Sequence, residues 1–123
     1  MPRVLVIEDT GDNRQIIRDL LGSAGFDVLE AVTGEAGLEM IADTKPDIVI
    51  MDVQLPGIDG LEATRRLKAD PASANIPVIA VTSYSMQGDE ERCRAAGCDD
   101  YIAKPFRPRL LLELVERVVG RHA

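Results

Sequence analysis

Five polar residues whose side chains could do chemistry each follow a short apolar segment of the chain. Glu8 and Asp9 follow one apolar run, and Asp52 follows a second. Thr82 follows a third run, and Lys104 comes after a fourth, shorter segment. Crowded carboxylates repel one another, and a divalent cation would remove that repulsion. All-oxygen ligands favour Mg²⁺, and an ammonium and a hydroxyl beside the metal suit a phosphoryl group. No Ser–His or Cys–His pair is available, so the best nucleophile is a carboxylate, and aspartyl phosphates are known intermediates.

These side chains meet only if the apolar runs lie side by side as strands. Continuous Val/Ile/Leu runs separated by helical stretches are typical of parallel strands that are buried on both faces. The runs are Val4–Ile7, Ile48–Met51 and Val78–Val81, with the short segment Asp100–Ala103 as the fourth. Open α/β sheets bind their ligands at the carboxyl ends of such strands. The sequence therefore predicts one site at one edge of a sheet.

The whole chain is predicted to alternate strand and helix five times. The predicted strands are Arg3–Ile7, Asp27–Ala31, Asp47–Met51, Pro77–Val81 and Asp100–Ala103. The predicted helices are Asp12–Ala24, a helix capped by Thr33 and ending near Asp43, Gly60–Ala69, Gln87–Ala96, and a last helix that starts at Pro108. In the first helix, Ile17, Leu20, Leu21 and Ala24 form the apolar face and Gly25 is the stop; the last helix buries Leu111, Leu114, Val115 and Val118. Right-handed crossovers then give a doubly wound α/β fold, with the flavodoxin-like strand order 2-1-3-4-5.

Composition excludes several classes of function. The chain has 123 residues, enough for a single domain with a real core. Its formal net charge is -7 and its aromatic content 3%, which argues against direct binding of DNA or RNA. Cys93 and Cys98 lack metal-site spacing and are expected to be reduced, packed thiols. Because the first strand begins at Arg3 and no apolar run is long enough to span a membrane, we expect a soluble, cytoplasmic protein.

Four sequence motifs resemble the receiver domain of two-component signalling, the response-regulator family, over essentially the whole chain. The motifs are Val6–Asp9, Met51–Gly60, Val81–Ser83 and Tyr101–Phe106. The intervals from Asp9 to the later motif residues also fit the family pattern. The resemblance implies a receiver that catalyses its own phosphorylation from a phosphodonor and its slow dephosphorylation, rather than a turnover enzyme.

The resemblance also implies a role for each site residue. Asp52 would accept the phosphoryl group. Asp9 and Asp52, with the backbone carbonyl of Gln54, would hold Mg²⁺, and Glu8 would assist. Lys104 would contact the phosphoryl group, and the peptide bond between it and the following proline is expected to be cis.

A second pair of residues would transmit the signal in the family pattern. Thr82 would move toward the phosphoryl oxygen, and Tyr101 would turn inward to fill the space. The segment between them is the fourth helix and the loop Ser83–Met86. The output surface is therefore expected to comprise the fourth helix, the fifth strand and the fifth helix.

Some positions depart from the common family pattern. Glu8 stands where Asp is commoner, and Thr10 where many relatives carry Asn or Asp. Gln54 and Tyr84 occupy positions that tune the lifetime of the phosphoryl group. None of these departures removes a catalytic group, so we expect a competent receiver.

The local sequence is similar to that of DivK-type single-domain regulators, especially at Gln54–Pro56 and Gly88–Arg92. On this hypothesis residues 1–123 form one receiver domain without an output domain, which signals through contacts with a downstream protein. The phosphoryl donor would be a phosphohistidine on a histidine kinase or a histidine phosphotransfer protein, with its helix against the first helix. The same local sequence occurs in receivers fused to hybrid histidine kinases. The alternative hypothesis is therefore that the chain is a receiver module of a longer protein.

Two other classes of function remain as rivals. A Mg²⁺-dependent aspartyl-phosphate phosphatase usually has a second Asp two residues after the nucleophile, and here that residue is Gln54, which cannot act as a general acid. A flavodoxin-like electron carrier would share the fold. It needs ring-stacking aromatics and a crevice that accepts a phosphate, whereas this crevice carries carboxylates.

Overall fold

The computed structural model describes residues 2–83 and 89–122, which form alternating strands and helices. The strands are β1 (Arg3–Ile7), β2 (Asp27–Ala31), β3 (Ile48–Asp52), β4 (Val78–Thr82) and β5 (Asp100–Ala103). The helices are α1 (Gly11–Ser23), α2 (Gly34–Thr44), α3 (Gly60–Ala69), α4 (Asp89–Ala96) and α5 (Pro108–His122). Among the described residues, no helix is both long enough and apolar enough to cross a membrane.

The strands form one parallel sheet in the order β2-β1-β3-β4-β5, which confirms the predicted topology. The three central strands carry the continuous apolar runs, and almost every residue in them is buried. Helices cover both faces and create two cores. One core includes Leu5, Val49 and Leu67, and the other includes Val4 and Ile50. Burial on both faces is the reason that these strands are apolar throughout rather than alternating.

Residue types at the helix ends fix several of the element boundaries. The Thr33 hydroxyl accepts a hydrogen bond from the backbone N–H of Ala36 at 3.0 Å, which confirms the predicted cap of α2. The Asp59 carboxylate caps α3 in the same way through Glu62 at 2.8 Å. Gly25 follows α1 with φ 94°, a backbone conformation that favours glycine, as expected of the predicted stop.

The observed boundaries differ from the predicted ones by small shifts. Helix α1 ends at Ser23, and Ala24 lies exposed beyond it, so the prediction that this residue belongs to the buried face was wrong. Strands β3 and β4 each begin one residue later and end one residue later than predicted, because parallel pairing continues through Asp52 and Thr82. The predicted start of the fourth helix at Gln87, and the loop residues 84–86, lie outside the described residues.

The interior also holds the two cysteines that the sequence analysis treated as packed thiols. Cys93 and Cys98 are both buried and are not joined in a disulfide. Burial raises the pKa of the Cys98 thiol to about 12, so this group stays protonated. The two thiols therefore behave as core residues, one within α4 and one just after it.

Candidate functional site

Strand register brings the predicted site residues to one level at the carboxyl edge of the sheet. In the β1–β3 pair, Ile7 lies opposite Met51, so the residues that follow them, Glu8 and Asp52, are neighbours. Residue Asp52 pairs with Val81 across to β4, so Thr82 is the next residue along. These polar groups lie at the same level because each one either ends a buried strand or directly follows one.

Three carboxylates cluster at this edge. Glu8, Asp9 and Asp52 each offer an oxygen, and these oxygens all lie within 4.8 Å of one another. Glu8 and Asp52 are each only 3% exposed, whereas Asp9 is exposed to solvent. A set of hard carboxylate oxygens that is buried on one side and open on the other fits Mg²⁺, which binds through few protein ligands and keeps several waters.

Lys104 is the positive partner of this cluster. Its ammonium nitrogen lies 3.1 Å from Oδ2 of Asp52 and 3.3 Å from Oε2 of Glu8. The backbone N–H of Lys104 donates to the carbonyl oxygen of Thr82 at 2.6 Å, so the residue is anchored to β4. The Lys104–Pro105 peptide bond is cis, as the resemblance implied.

Glu8 is held by more donors than Asp52. Its Oε1 accepts hydrogen bonds from the backbone N–H of Thr10 at 3.2 Å and from the side-chain amide of Asn13 at 3.1 Å. Its backbone carbonyl accepts a hydrogen bond from Arg14 at 2.8 Å. Asp52 Oδ1 accepts one from the backbone N–H of Gln54 at 3.0 Å. Glu8 is therefore a fixed carboxylate, and its greater length compared with Asp is used to reach these donors.

Asn13 and Arg14 are not among the site residues predicted from the sequence. Both lie in the first turns of α1, the helix that follows β1, the strand that ends just before Glu8. Polar side chains in that position can reach back to the strand end, and this is the signal in the sequence that would have pointed to them.

The two buried carboxyls have opposite pKa shifts. Burial raises the pKa of Asp52 to about 7, and a hydrogen bond with Glu8 and the charge of Glu8 add to the effect. Burial also acts to raise the pKa of Glu8, but hydrogen bonds with Asp52 and Asn13 and the charge of Lys104 outweigh it, and this pKa is lowered. Without a metal, the proton between the pair therefore resides on Asp52, because Glu8 has the larger set of donors.

Lys104 keeps its positive charge in this environment. Burial acts to lower the pKa of its ammonium group, but the hydrogen bond and charge of Asp52, with the charge of Glu8, raise it overall. A permanent cation thus faces the Asp52 carboxylate, and a fixed positive charge of this kind is suited to contact with a phosphate group.

The predicted switch residues occupy neighbouring strands. Thr82 is 1% exposed at the end of β4, and Tyr101 is half-buried on β5, packed against the core cluster that includes Cys93 and Cys98. The Ser83 hydroxyl donates to the side-chain oxygen of Gln54, which links the loop after β4 to the loop after β3. Tyr84, the other position expected to tune phosphoryl lifetime, lies outside the described residues.

One groove opens beside the site, and a second groove lies along β5 and α5. The first, about 490 Å³, opens beside the acidic cluster and is largely apolar. Its lining comprises Glu8, Asn13, Ile16, Ile17, Ser83, Lys104, Pro105, Phe106 and Pro108. The second, about 500 Å³, runs along β5 and α5 and includes Tyr101, Leu110, Glu113 and Arg117. Ile16 and Leu110 are each 51% exposed, so each groove presents one large apolar side chain to solvent.

Comparison with known proteins agrees with the geometry. The chain is 40% identical over 121 residues to the polar-differentiation response regulator DivK of Brucella anthropi, with 98% of each chain covered. Among solved structures it resembles the receiver domain of the sensor histidine kinase PA1611 of Pseudomonas aeruginosa, described with a magnesium ion in its active-site cleft (34% identity, TM-score 0.89, 97% of this chain and 98% of that chain). It also resembles the chemotaxis response regulator CheY4 of Vibrio cholerae (27% identity, TM-score 0.91, 96% and 98% covered). The family model of the response regulator receiver domain matches residues 4–116, and the chain belongs to that family.

Proposed function

We propose that the protein accepts a phosphoryl group on Asp52 from a phosphohistidine and thereby switches its contacts with a downstream protein. The observation that carries the proposal is the position of this carboxylate. It is buried, lies 3.1 Å from the Lys104 ammonium, and shares its pocket with Glu8 and Asp9. A receiver domain of this family in general works with a histidine kinase. The rivals, a phosphatase or a flavin carrier, have no comparable support.

The transfer follows from the hydrogen bonds around Asp52. A carboxylate oxygen of Asp52 attacks phosphorus, the phosphorus–nitrogen bond of the donor histidine breaks, and its electron pair returns to the imidazole ring. The Gln54 N–H holds Oδ1, so the oxygen on the Lys104 side is the one available for attack. Lys104 then exchanges its carboxylate partner for a phosphoryl oxygen.

The acidic cluster provides the metal ligands for this reaction. Asp9 and Asp52, with the Gln54 backbone carbonyl, are proposed to hold Mg²⁺, and Glu8 to assist. Bound Mg²⁺ supplies neutralisation of the charge on the phosphoryl oxygens. Glu8 contributes mainly as a fixed negative charge, because Oε1 is already used by Thr10 and Asn13 and Oε2 faces Lys104.

The signal is proposed to leave through Thr82 and Tyr101. Phosphorylation adds nearly two negative charges and three acceptor oxygens next to the Thr82 hydroxyl. Movement of that residue opens space toward the neighbouring strand, where Tyr101 is half-buried and can turn further inward. Tyr101 also lines the groove along β5 and α5, so its rotation changes the shape of the proposed output surface of α4, β5 and α5.

The donor protein is proposed to dock in the apolar groove beside the acidic cluster. The apolar lining of this groove includes Ile16 and Ile17 of α1, together with Phe106 and Pro108. Glu8 and Lys104 lie at the same groove, so a helix seated there would bring its phosphohistidine to Asp52. A helix with apolar anchors is the occupant that fits such a groove.

Phosphorylation with acetyl phosphate tests the proposal without a cognate kinase. The native protein with Mg²⁺ should gain the mass of one phosphoryl group, and hydroxylamine should remove it, since an aspartyl phosphate is an acyl phosphate. Asp52→Asn should gain nothing. Asp12→Asn, an exposed acidic residue of α1, should behave as the native protein does. Acid-stable, hydroxylamine-resistant phosphate on Asp52→Asn would contradict the proposal.

The switch is tested with beryllofluoride, which mimics a phosphoryl group on a carboxylate. With Mg²⁺ it should shift the amide signals of Thr82 and Tyr101 in NMR spectra of the native protein. The Asp52→Asn variant should show no such shifts. Unchanged signals in the native protein would argue against the switch while leaving phosphoryl acceptance intact.

A further inference from the structure

The peptide unit that joins Glu8 to Asp9 marks the end of regular pairing in β1. The backbone N–H of Glu8 donates to the carbonyl oxygen of Ala31 at 3.0 Å, and this bond continues the β1–β2 ladder by one step. The Glu8 carbonyl oxygen accepts a hydrogen bond from a guanidinium nitrogen of Arg14 at 2.8 Å. A side chain of α1 thus takes the place of a strand partner at the point where the strand stops.

Arg14 is itself fixed from the side of β2. Its Nε lies 3.4 Å from Oε1 of Glu30, and the side chain is only 21% exposed. A guanidinium presents its donors in a rigid fork, so an ion pair on one edge sets the direction of the others. The result is a bridge that runs from the Glu30 carboxylate through Arg14 to the backbone of Glu8.

We infer that Arg14 is a positioning residue for the metal and phosphoryl site, acting through the Glu8–Asp9 peptide. This peptide connects two of the three clustered carboxylates, so holding its carbonyl oxygen fixes the direction in which both side chains leave the backbone. When no metal ion is bound, the charge of Lys104 does not balance the three carboxylates, and their mutual repulsion acts to separate them. The bridge opposes that movement, and the ligands are in place before the metal binds. This inference rests on the proposed function, because it assigns a role in the same site.

A matched control is present on the same helix. Arg18 lies one turn further along α1 and pairs with the same carboxylate, at 2.8 Å between its Nη1 and Oε2 of Glu30. Removing Arg14 or Arg18 therefore removes the same charge and one ion pair with Glu30. Only the removal of Arg14 also frees the Glu8 carbonyl.

The experiment is a titration of Mg²⁺ into the native protein and the variants Arg14→Ala, Arg14→Lys and Arg18→Ala, followed by calorimetry and by the amide signals of Glu8 and Asp9. We expect Arg14→Ala to weaken Mg²⁺ binding about tenfold, the size of effect that outer-sphere partners of metal ligands have. Arg18→Ala should bind as the native protein does. Arg14→Lys should lie between them, because an ammonium lacks the fork that reaches both acceptors.

Phosphorylation kinetics give a readout that a purely structural role would not change. With acetyl phosphate, Arg14→Ala should need about tenfold more Mg²⁺ for half-maximal rate, while its rate at saturating Mg²⁺ stays close to native. Glu30→Gln, which leaves Glu8 untouched, should shift the Mg²⁺ requirement in the same direction by less. If Arg14→Ala folds poorly, Arg14→Lys and Glu30→Gln carry the test.

The outcomes separate this inference from the proposed function. Equal Mg²⁺ affinity in Arg14→Ala and Arg18→Ala, whether both are native or both weakened, overturns the role of Arg14. Failure of the native protein to bind Mg²⁺ or to accept a phosphoryl group overturns the proposed function itself. Weakened binding in Arg14→Ala alone, with amide shifts confined to the end of β1, supports the inference.

Discussion

Two lysine–aspartate pairs lie at opposite ends of the sheet and have nearly the same geometry. At the carboxyl edge, Lys104 contacts Asp52 at 3.1 Å. At the other edge, Lys68 of α3 contacts Asp99, just before β5, at 3.0 Å. Both lysines are mostly buried, with 23% and 19% of the side chain exposed. The distances alone do not distinguish a candidate reaction site from a structural contact.

The partners around each pair distinguish them. The Lys68 ammonium also donates to the backbone carbonyls of Ala74 and Ile76, at 3.2 and 2.7 Å. Asp99 accepts a second hydrogen bond from the backbone N–H of Val78 at 2.8 Å. This pair is neutral and its remaining contacts are fixed backbone groups. Such a pair joins the α3–β4 loop to the loop before β5 and has no unmet requirement for a ligand.

At the carboxyl edge, the carboxylates around the pair outnumber the single ammonium group, so the cluster has an excess of negative charge. Lys104 faces both Glu8 and Asp52, and Asp9 belongs to the same cluster. One cation cannot balance three carboxylates, so the site holds a proton on Asp52 or accepts a metal ion. An unbalanced cluster, rather than a short ion pair, therefore distinguishes the candidate site at the carboxyl edge of this sheet from the structural contact at the other edge.

The largest expected difference is between Lys104→Ala and Lys68→Ala. Loss of Lys104 should slow phosphorylation by acetyl phosphate about 100-fold or more, because a preorganised charge at the phosphoryl group is removed. Loss of Lys68 should lower the free energy of unfolding by about 2 kcal/mol, since charge-assisted hydrogen bonds are lost. Its phosphorylation rate, measured where the protein is folded, should be native.

Rates and unfolding curves of both variants provide the measurement. The comparison fails if Lys68→Ala is as slow as Lys104→Ala while still folded. It also fails if Lys104→Ala reacts at the native rate, because the ammonium at the carboxyl edge would then be structural as well.

Replacement of Asp by Asn should change the free energy of unfolding in opposite directions at the two edges. Asp52→Asn removes a buried carboxylate that is crowded by Glu8, and should raise the free energy of unfolding of the metal-free protein above pH 7 by about 2 kcal/mol. Asp99→Asn removes the charge that Lys68 requires, and should lower it by about 1.5 kcal/mol. Denaturant unfolding in the presence of a chelator measures both. Destabilisation by Asp52→Asn would show that this carboxylate is satisfied without a metal.

The dependence of stability on pH should also identify the carboxyl edge. The pKa of Asp52 is raised to about 7 in the folded protein, so between pH 5 and 7 the folded state retains a proton that the unfolded chain has released. The free energy of unfolding of the metal-free protein should therefore fall as pH rises through this range, by roughly 2 kcal/mol, and level off above pH 7. The pKa of Glu8 is lowered, so its contribution is complete above its ordinary range and is lost only in more acidic solution.

The control for the pH experiment is the same pair of variants. Asp52→Asn should abolish the fall between pH 5 and 7, and Asp99→Asn should retain it. A fall that persists in Asp52→Asn would assign the titration to another group.

The sequence predicted the contacts at the carboxyl edge more completely than those at the opposite edge of the sheet. The polar groups at the carboxyl edge were predictable because each lies at the end of a strand, and a parallel sheet brings all such ends to one edge. They are Glu8, Asp52, Thr82 and Lys104. The Lys68–Asp99 contact joins residues that are 31 positions apart and lie in or beside loops, and no periodic pattern indicates it.

The hydrogen bonds that hold Glu8 could not be predicted from the sequence for a related reason. The contacts of Asn13 and Arg14 depend on how the first turn of α1 leaves the strand end, which is a matter of backbone geometry rather than of residue pattern. The exposed position of Ala24 has a similar origin, since α1 ends at Ser23 and the turn at Gly25 redirects the chain. Strand order and the set of polar groups at the carboxyl edge are thus predictable from the sequence, whereas their supporting contacts require the fold.

The smallest expected effect is stabilisation by Mg²⁺, and it should occur through one edge only. A ligand that binds the folded state at ten times its dissociation constant stabilises the protein by about 1.4 kcal/mol. Mg²⁺ should therefore raise the unfolding midpoint of the native protein and of Asp99→Asn by similar amounts. It should have little effect on Asp52→Asn, which lacks a ligand carboxylate. Above pH 7 the gain should be largest, because the metal no longer competes with the proton on Asp52. Equal stabilisation of all three proteins would place the metal away from the acidic cluster, and the two edges would then differ only in their charge.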